Sequence, residues 1–162
     1  MDIKEKISEV LAKEVPNSGA TFTEFRGDTV LHVKKEHIVQ VCHHLKTNEE
    51  LRFQLCEDVT AIDWATRKDR FSIVYHIFSL PLSFRLRITT VVDEHDCHVD
   101  SVTSVWKTAN WHEREVYDMY GISFNNHPDL RRMYMPEEFE YHPLRKEFPL
   151  LGIPGSLFLP KK

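Results

Sequence analysis

The sequence predicts an α+β fold, a mixed β-sheet with helices packed on it, followed by a short helix and a long, extended, proline-rich C-terminal arm. Helical spacing and strand-type alternation of apolar residues occur in separate blocks, in the order helix, two strands, helix, three or four strands. The prolines are segregated: six of the eight, at 128, 136, 143, 149, 154 and 160, follow Gly121, and each removes a backbone donor and restricts the residue before it. The same stretch is rich in apolar side chains such as Phe124, Tyr134, Phe148, Leu151 and Phe158, which solvated tails lack. A chain of 162 residues then divides into one compact domain over 1–121 and an arm over 122–162 that lies on another protein.

The elements follow in order. Ile3, Ile7, Val10 and Leu11 recur at helical spacing and predict an amphipathic helix that ends before Pro16. Thr21 to Phe25 and Thr29 to Val33 are β-prone runs around Arg26-Gly27-Asp28, which predicts a hairpin; that tripeptide also spells an adhesion motif, and a turn is the better reading. Ile38, Val41, Cys42 and Leu45 predict a second helix, stopped near Asn48. Leu51, Phe53 and Leu55 alternate, as do Phe71 to Ile77 and Phe84 to Thr90, with a turn over Ser79-Leu80-Pro81-Leu82-Ser83. Val99 to Val105 is a further alternating segment. Asn110 to Tyr120 reads as a short helix, with Asn110 as N-cap, Glu113 at the capping-box position and Gly121 as the left-handed residue that ends it.

Composition excludes several functions. The net charge of -4 and the absence of a basic patch disfavour nucleic acid. No apolar run approaches the roughly 20 residues that span a bilayer, and no leader pattern opens the chain, which predicts a soluble, cytosolic protein without direct membrane insertion. Cys42, Cys56 and Cys97 are three and widely spaced, so they give neither a disulfide framework nor a cluster motif; Cys42 reads as helix core. No glycine-rich phosphate loop occurs among five glycines. His95, Cys97 and His98 are the best zinc candidates, but near-adjacent ligands do not match zinc spacing and a polar turn is favoured. Glu113, Glu115, Asp118 and His127 are candidate acid–base groups, yet carboxylates two residues apart on a helix point in different directions.

The charges of the short helix are not explained by the helix. Arg114 in its first turn and Asp118 in its last oppose the macrodipole, and positive-before-negative is the weaker i, i+4 order. With Arg131-Arg132 and Arg145-Lys146-Glu147 they predict specific pairing that holds the arm in register.

Glu113-Arg114-Glu115, Asp118-Met119-Tyr120-Gly121, His127-Pro128 with Leu130-Arg131-Arg132, and His142-Pro143-Leu144-Arg145-Lys146-Glu147-Phe148-Pro149 together resemble the signature of the C-subunit family of proton-pumping NADH:quinone oxidoreductase, respiratory complex I. The resemblance extends more weakly upstream through Ser101-Val102-Thr103. Tyr134, Tyr141 and Glu147 depart from the family's usual aliphatic residue, glycine and aspartate.

The resemblance implies a non-catalytic assembly subunit of the peripheral arm. It implies no cofactor or metal in this chain, with FMN and Fe-S clusters in other subunits that carry electrons from NADH to quinone, coupled to proton translocation. Its implied partners are the large D subunit that helps form the quinone site and neighbouring Fe-S subunits, on the cytoplasmic side of the bacterial inner membrane or the organelle equivalent. The equivalent subunit of a ferredoxin- or F420H2-linked dehydrogenase or a membrane-bound hydrogenase is the alternative within this class. A stand-alone metal-dependent or acid–base enzyme is the alternative outside it, and would need a pocket of converging ligands.

Overall fold

A computed structural model describes residues 2–149 and 151–152. Helix α1 (Ile3–Glu14) starts with the Asp2 amide donating to Glu5 Oε2 at 3.1 Å, half of a capping box. Strands β1 (Thr21–Phe25) and β2 (Asp28–His32) form the expected hairpin. Arg26 and Gly27 both take positive φ, 52° and 89°, the two-residue turn whose twist matches the strands. After a short 3-10 turn at Lys35–His37 comes α2 (Ile38–Thr47), burying Ile38, Val41, Cys42 and Leu45 as its spacing requires. The strands β3 (Leu55–Asp63), β4 (Phe71–Ser79) and β5 (Phe84–Val92) complete a five-stranded sheet in the order β1-β2-β5-β4-β3. The β2–β5 pair is parallel and the others antiparallel, so the sheet is mixed as expected.

All three helices lie on one face of that sheet. Ile7, Leu11, Val41 and Leu45 share a core with Ile73, Tyr75, Leu86 and Ile88, and with Val116 of α3 (Ala109–Tyr120). The fold is thus two layers, and β4 inserts alternate residues, Phe71, Ile73, Tyr75 and Ile77, into the core between them.

Three expectations are corrected. Leu51 and Phe53 are not on a strand. The Asn48 side chain accepts from the amides of Glu50 and Leu51, and Arg52 has φ of 45°, so a turn and not a pleat points Leu51 and Phe53 into the core. The strand instead begins at Leu55 and runs to Asp63 through a bulge between Cys56 and Asp58, which breaks its alternation in sequence. Second, of the segment Val99 to Val105 only β6 (His98–Asp100) is strand. Val102 and Val105 are buried by turns that lead into α3. Third, Asn110 is not the cap of α3: the helix begins at Ala109, preceded by Thr108, whose hydroxyl donates to the Cys56 carbonyl at 3.1 Å.

The compact unit runs past Gly121. β7 (Ser123–Asn125) pairs in parallel with β6, and Ile122 and Phe124 are buried in the core. The expected boundary between 121 and 122 therefore falls inside a packed element. Residues 126–149 form an irregular strap over α3, and the rest of the expected arm, at 150 and 153–162, lies outside the described residues.

Candidate functional site: a helix face that holds the C-terminal strap

One face of α3 explains its charge order. Arg114 and Asp118, one turn apart, read consecutive stretches of the strap's backbone. Arg114 donates from Nε to the Arg131 carbonyl at 3.1 Å and from Nη2 to the Arg132 carbonyl at 3.3 Å, while its guanidinium lies 4.9 Å from the Trp111 ring centroid. Asp118 Oδ2 accepts from the amides of Met133, Tyr134 and Met135 at 2.9, 2.6 and 3.0 Å. The strap therefore turns carbonyls towards the first half of the helix and amides towards the second. Cation first and anion last is the order that this backbone demands, and it outweighs the roughly 0.3–1 kcal/mol that the macrodipole prefers.

Arg132 closes the arrangement. Its Nε lies 2.8 Å from Asp118 Oδ1, and Nη2 donates to the Tyr141 carbonyl at 2.6 Å. Although desolvation acts against the charge, the three amides and then Arg132 hold the Asp118 carboxyl below the usual carboxylate range. His142 Nδ1 donates to the Asp118 carbonyl at 3.0 Å, and burial lowers its pKa, so the ring stays neutral. Arg145 Nε donates to the Tyr120 carbonyl at 2.6 Å and its guanidinium lies over Phe71 at 5.2 Å. Two unsatisfied carbonyls at the end of α3 are thus capped by strap side chains. The amide of Leu144 donates to the Met119 carbonyl at 3.1 Å.

Gly121 is required here twice over. Its φ of 71° is left-handed, and a Cβ would meet His142 Nε2 at 2.5 Å and Arg145 Nη2 at 2.9 Å. Gly121→Ala is expected to destabilise the protein by about 1–3 kcal/mol and to displace His142 and Arg145. Urea melts, with limited proteolysis of the strap, check both effects.

Glu113 is not a cap. Its carboxylate is fully buried, accepting from the Val102 amide at 2.8 Å and from Ser101 Oγ at 2.6 Å. It thus fastens the turn after β6 to α3. Burial, only partly offset by those two bonds, pushes its pKa up to about 7. His127 Nε2 is 3.9 Å from Glu113 Oε2 and 3.2 Å from the Asn110 carbonyl; burial lowers its pKa. Glu113 and His127 are thus brought together, each side chain buried.

The other expected residues divide. Arg131 contributes its carbonyl, while its side chain pairs outward with Asp129 at 2.7 Å. Leu130 packs on the core. Pro143 is half-buried, and Phe148 stacks against Phe139 and Tyr141 at 6.3 and 6.4 Å between centroids. Glu115, Pro128, Leu144 and Pro149 are exposed. Lys146 acts through its backbone amide, which donates to Asp63 Oδ2 at 2.8 Å.

That last bond marks a cluster the sequence reading missed. Asp63 and Arg70 flank the β3–β4 hairpin in a buried bidentate pair, 3.0 and 2.8 Å, and Arg70 also contacts Glu94 and Glu147. Arg70, ahead of burial, holds the Asp63 carboxyl well below its usual range. A signal was present, since one charge ends a strand and the opposite one immediately precedes the next, but the stretch between them reads as an ordinary polar turn. His95, Cys97 and His98 form no ligand set, and among the described residues no group of three or more His, Cys, Asp or Glu could hold a metal. The Asp93 side chain caps a 3-10 turn by accepting from the His95 backbone amide at 2.7 Å, and the His98 ring faces Asp96 at 2.9 Å.

Residues 31–153 match the family model described as respiratory-chain NADH dehydrogenase, 30 kDa subunit. The chain belongs to that family. Among its relatives, the C subunit of NADH-quinone oxidoreductase from Geotalea uraniireducens is 53% identical over 129 residues, 80% of this chain and 77% of that one. The C subunit from Geobacter metallireducens is 50% identical over 133 residues, covering 82% and 80%. Of solved structures, a trypsin-resistant fragment (1-134) of Nqo5 superposes with a TM-score of 0.65 at 30% identity, covering 80% of this chain and 100% of the fragment. The matched span contains both α3 and the described strap. Among the described residues no helix is long and apolar enough to cross a membrane.

Proposed function

We propose that this 30 kDa-family subunit is a non-catalytic assembly subunit of the peripheral arm of NADH:quinone oxidoreductase. It docks through its strap and the residues beyond it onto the large quinone-site subunit and neighbouring Fe-S subunits, on the cytoplasmic side of the membrane or the organelle equivalent. One observation carries the reading: Arg114 and Asp118 of α3 are spent on backbone groups of the strap, while Arg132, His142 and Arg145 of the strap are spent on backbone carbonyls of Tyr141, Asp118 and Tyr120. Catalytic groups need a free edge aimed at a substrate; each of these is held by a backbone partner. What the region turns outward is apolar instead, with Trp111, Tyr134, Tyr141 and Leu144 between 45% and 60% exposed, the kind of surface that marks an interface. Redox chemistry then belongs to FMN and Fe-S clusters of other subunits.

The high identity to NADH-quinone oxidoreductase subunits favours the NADH-linked complex over its ferredoxin-, F420H2- or hydrogenase-linked sisters. An archaeal membrane-bound sulfane sulfur reductase superposes well, TM-score 0.73, but at 22% identity it shares the fold alone. Leu144→Asp tests the docking. The purified variant is expected to melt nearly as the parent does, because the Leu144 side chain is half exposed and its amide bond to the Met119 carbonyl is kept, and to fail to co-purify with the large quinone-site subunit. Co-purification at parental yield, or a stoichiometric flavin or iron signal in the absorption spectrum and elemental analysis of the purified chain, would overturn the reading.

A further inference from the structure

The three helices leave one face of the five-stranded sheet uncovered by any helix among the described residues. It holds a trough of about 630 Å³, floored by Val30, Ile62, Val74 and Val91. The floor runs diagonally between two aromatic residues on opposite edge strands, Phe25 at the end of β1 and Trp64 just past β3. Phe25, Ile62, Trp64 and Val91 are 39% to 57% exposed, so this face shows four of the protein's large apolar side chains to solvent. Four strand spacings and some seven residues of strand give the diagonal a length on the order of 30 Å.

The charge of the trough is one-sided. Arg67, Arg87, His32 and His76 line it and, among the described residues, no carboxylate does, although Asp58 lies 3.6 Å from the His76 ring at its border. Each end is an aromatic ring with a guanidinium over it: Arg26 on Phe25 at 5.3 Å, Arg67 on Trp64 at 4.1 Å. Arg87 pairs with Asp28 at 2.9 Å, but among the described residues neither Arg26 nor Arg67 has a carboxylate partner. Stacking holds these two cations at the ends of an apolar floor without neutralising them.

We infer that this trough docks an amphipathic helix of a neighbouring subunit, apolar along one stripe and acidic along its flanks. The inference rests on the reading of this chain as an assembly subunit. The backbone groups of the central strands are already paired within the sheet, so an occupant lying across the face receives no ladder bonds and must satisfy its own backbone, as a helix does. A helix of about 20 residues matches the diagonal in length and width. Its apolar stripe covers Val91 and Ile62, and its carboxylates meet the unpaired guanidiniums at both ends. A lipid surface has the negative charge but is flat, and would reach the rims and not the floor.

Val91 is the place to test it, since it sits on the central strand β5, faces outward and is 45% exposed. Val91→Lys and Val91→Glu are made in the full chain and co-expressed with the other subunits of the complex. Both purified variants are expected to melt as the parent does. Val91→Lys, whose long apolar stem lies under the stripe and carries its ammonium out to the flanking carboxylates, is expected to enter the complex at near-parental level and Val91→Glu at least tenfold less. Equal incorporation of the two, or equal loss, overturns the inference, the first because the face is then free and the second because charge then plays no part. Sedimentation of the isolated chain with phosphatidylglycerol vesicles, abolished by Val91→Glu, would assign the face to the membrane and also overturn it. Leu144→Asp separates this from the strap reading: exclusion of that variant while both Val91 variants assemble sinks only the trough, and its full incorporation while Val91→Glu is excluded sinks only the strap.

Discussion

Asp118→Ala is expected to lower the stability of the isolated chain by about 3–5 kcal/mol, a large part of the 5–15 kcal/mol a domain has. The carboxylate is fully buried and receives three consecutive amides on one oxygen, with the Arg132 guanidinium 2.8 Å from the other. Removing it leaves three amides without acceptors and a side chain only 10% exposed carrying an unpaired charge. Asp118→Asn keeps one acceptor and loses the charge, so it should cost less, about 1–3 kcal/mol. Glu115→Ala, on the exposed side of the same helix, should stay within about 0.5 kcal/mol. Urea denaturation gives the order, and proteolysis between residues 131 and 149 should accelerate in the alanine variant alone. Equal stability of Asp118→Ala and Glu115→Ala would show that the strap is not held by this face. The pH sign is also fixed: the folded pKa of Asp118 is lowered, so its contribution is present above the unfolded pKa and is lost as pH falls through the folded one.

How much of this was legible in sequence follows from the range of each interaction. The hairpin around Arg26-Gly27 and the pairing of β4 with β5 are local, and turn chemistry with alternation reveals them. Leu51 and Phe53 imitate a strand because two buried residues two apart look alike whether pleat or turn places them. β7 is three residues long and pairs with β6 across some 25 positions, which leaves no periodic trace. The anomalous order Arg114 then Asp118 was legible as an anomaly, and correctly so, since helix physics disfavours it; its cause, five consecutive backbone groups of the strap, could not be read because backbone amides leave no residue type behind. Asp63 and Arg70 illustrate the same limit for side chains. Their pairing is set by the width of a hairpin, whereas their link to the Lys146 amide spans more than half the chain.

Glu113→Gln is expected to make the protein more stable than the parent at pH 8, with the difference shrinking steadily as pH falls towards 5 and vanishing below about 4.5. Burial, acting against the bonds from Ser101 and Val102, raises the folded pKa of Glu113 from 4.5 to about 7. The unfolded chain therefore gives up this proton first, so the stability the neutral form supplies is complete below about 4.5 and is lost as pH rises to about 7. The interval corresponds to about 3 kcal/mol. Glutamine imitates the neutral acid: its carbonyl accepts from the Val102 amide and its NH2 group donates to Ser101 Oγ, which turns its own proton to Thr103 Oγ1 at 2.7 Å. The other titratable groups about the site do not mimic the effect. Burial drives the pKa values of Tyr75, Cys42 and Cys56 up, so they stay protonated. The lowered pKa of His127 has the opposite sign, costing stability as pH falls below about 6.5, and it is common to both proteins. Chemical denaturation of the two at half-unit intervals from pH 5 to 8 gives the difference directly. A flat difference would mean that Glu113 is ionised throughout, and a parent more stable than the glutamine variant at pH 8 would mean that its charge is a net stabiliser of the turn it holds.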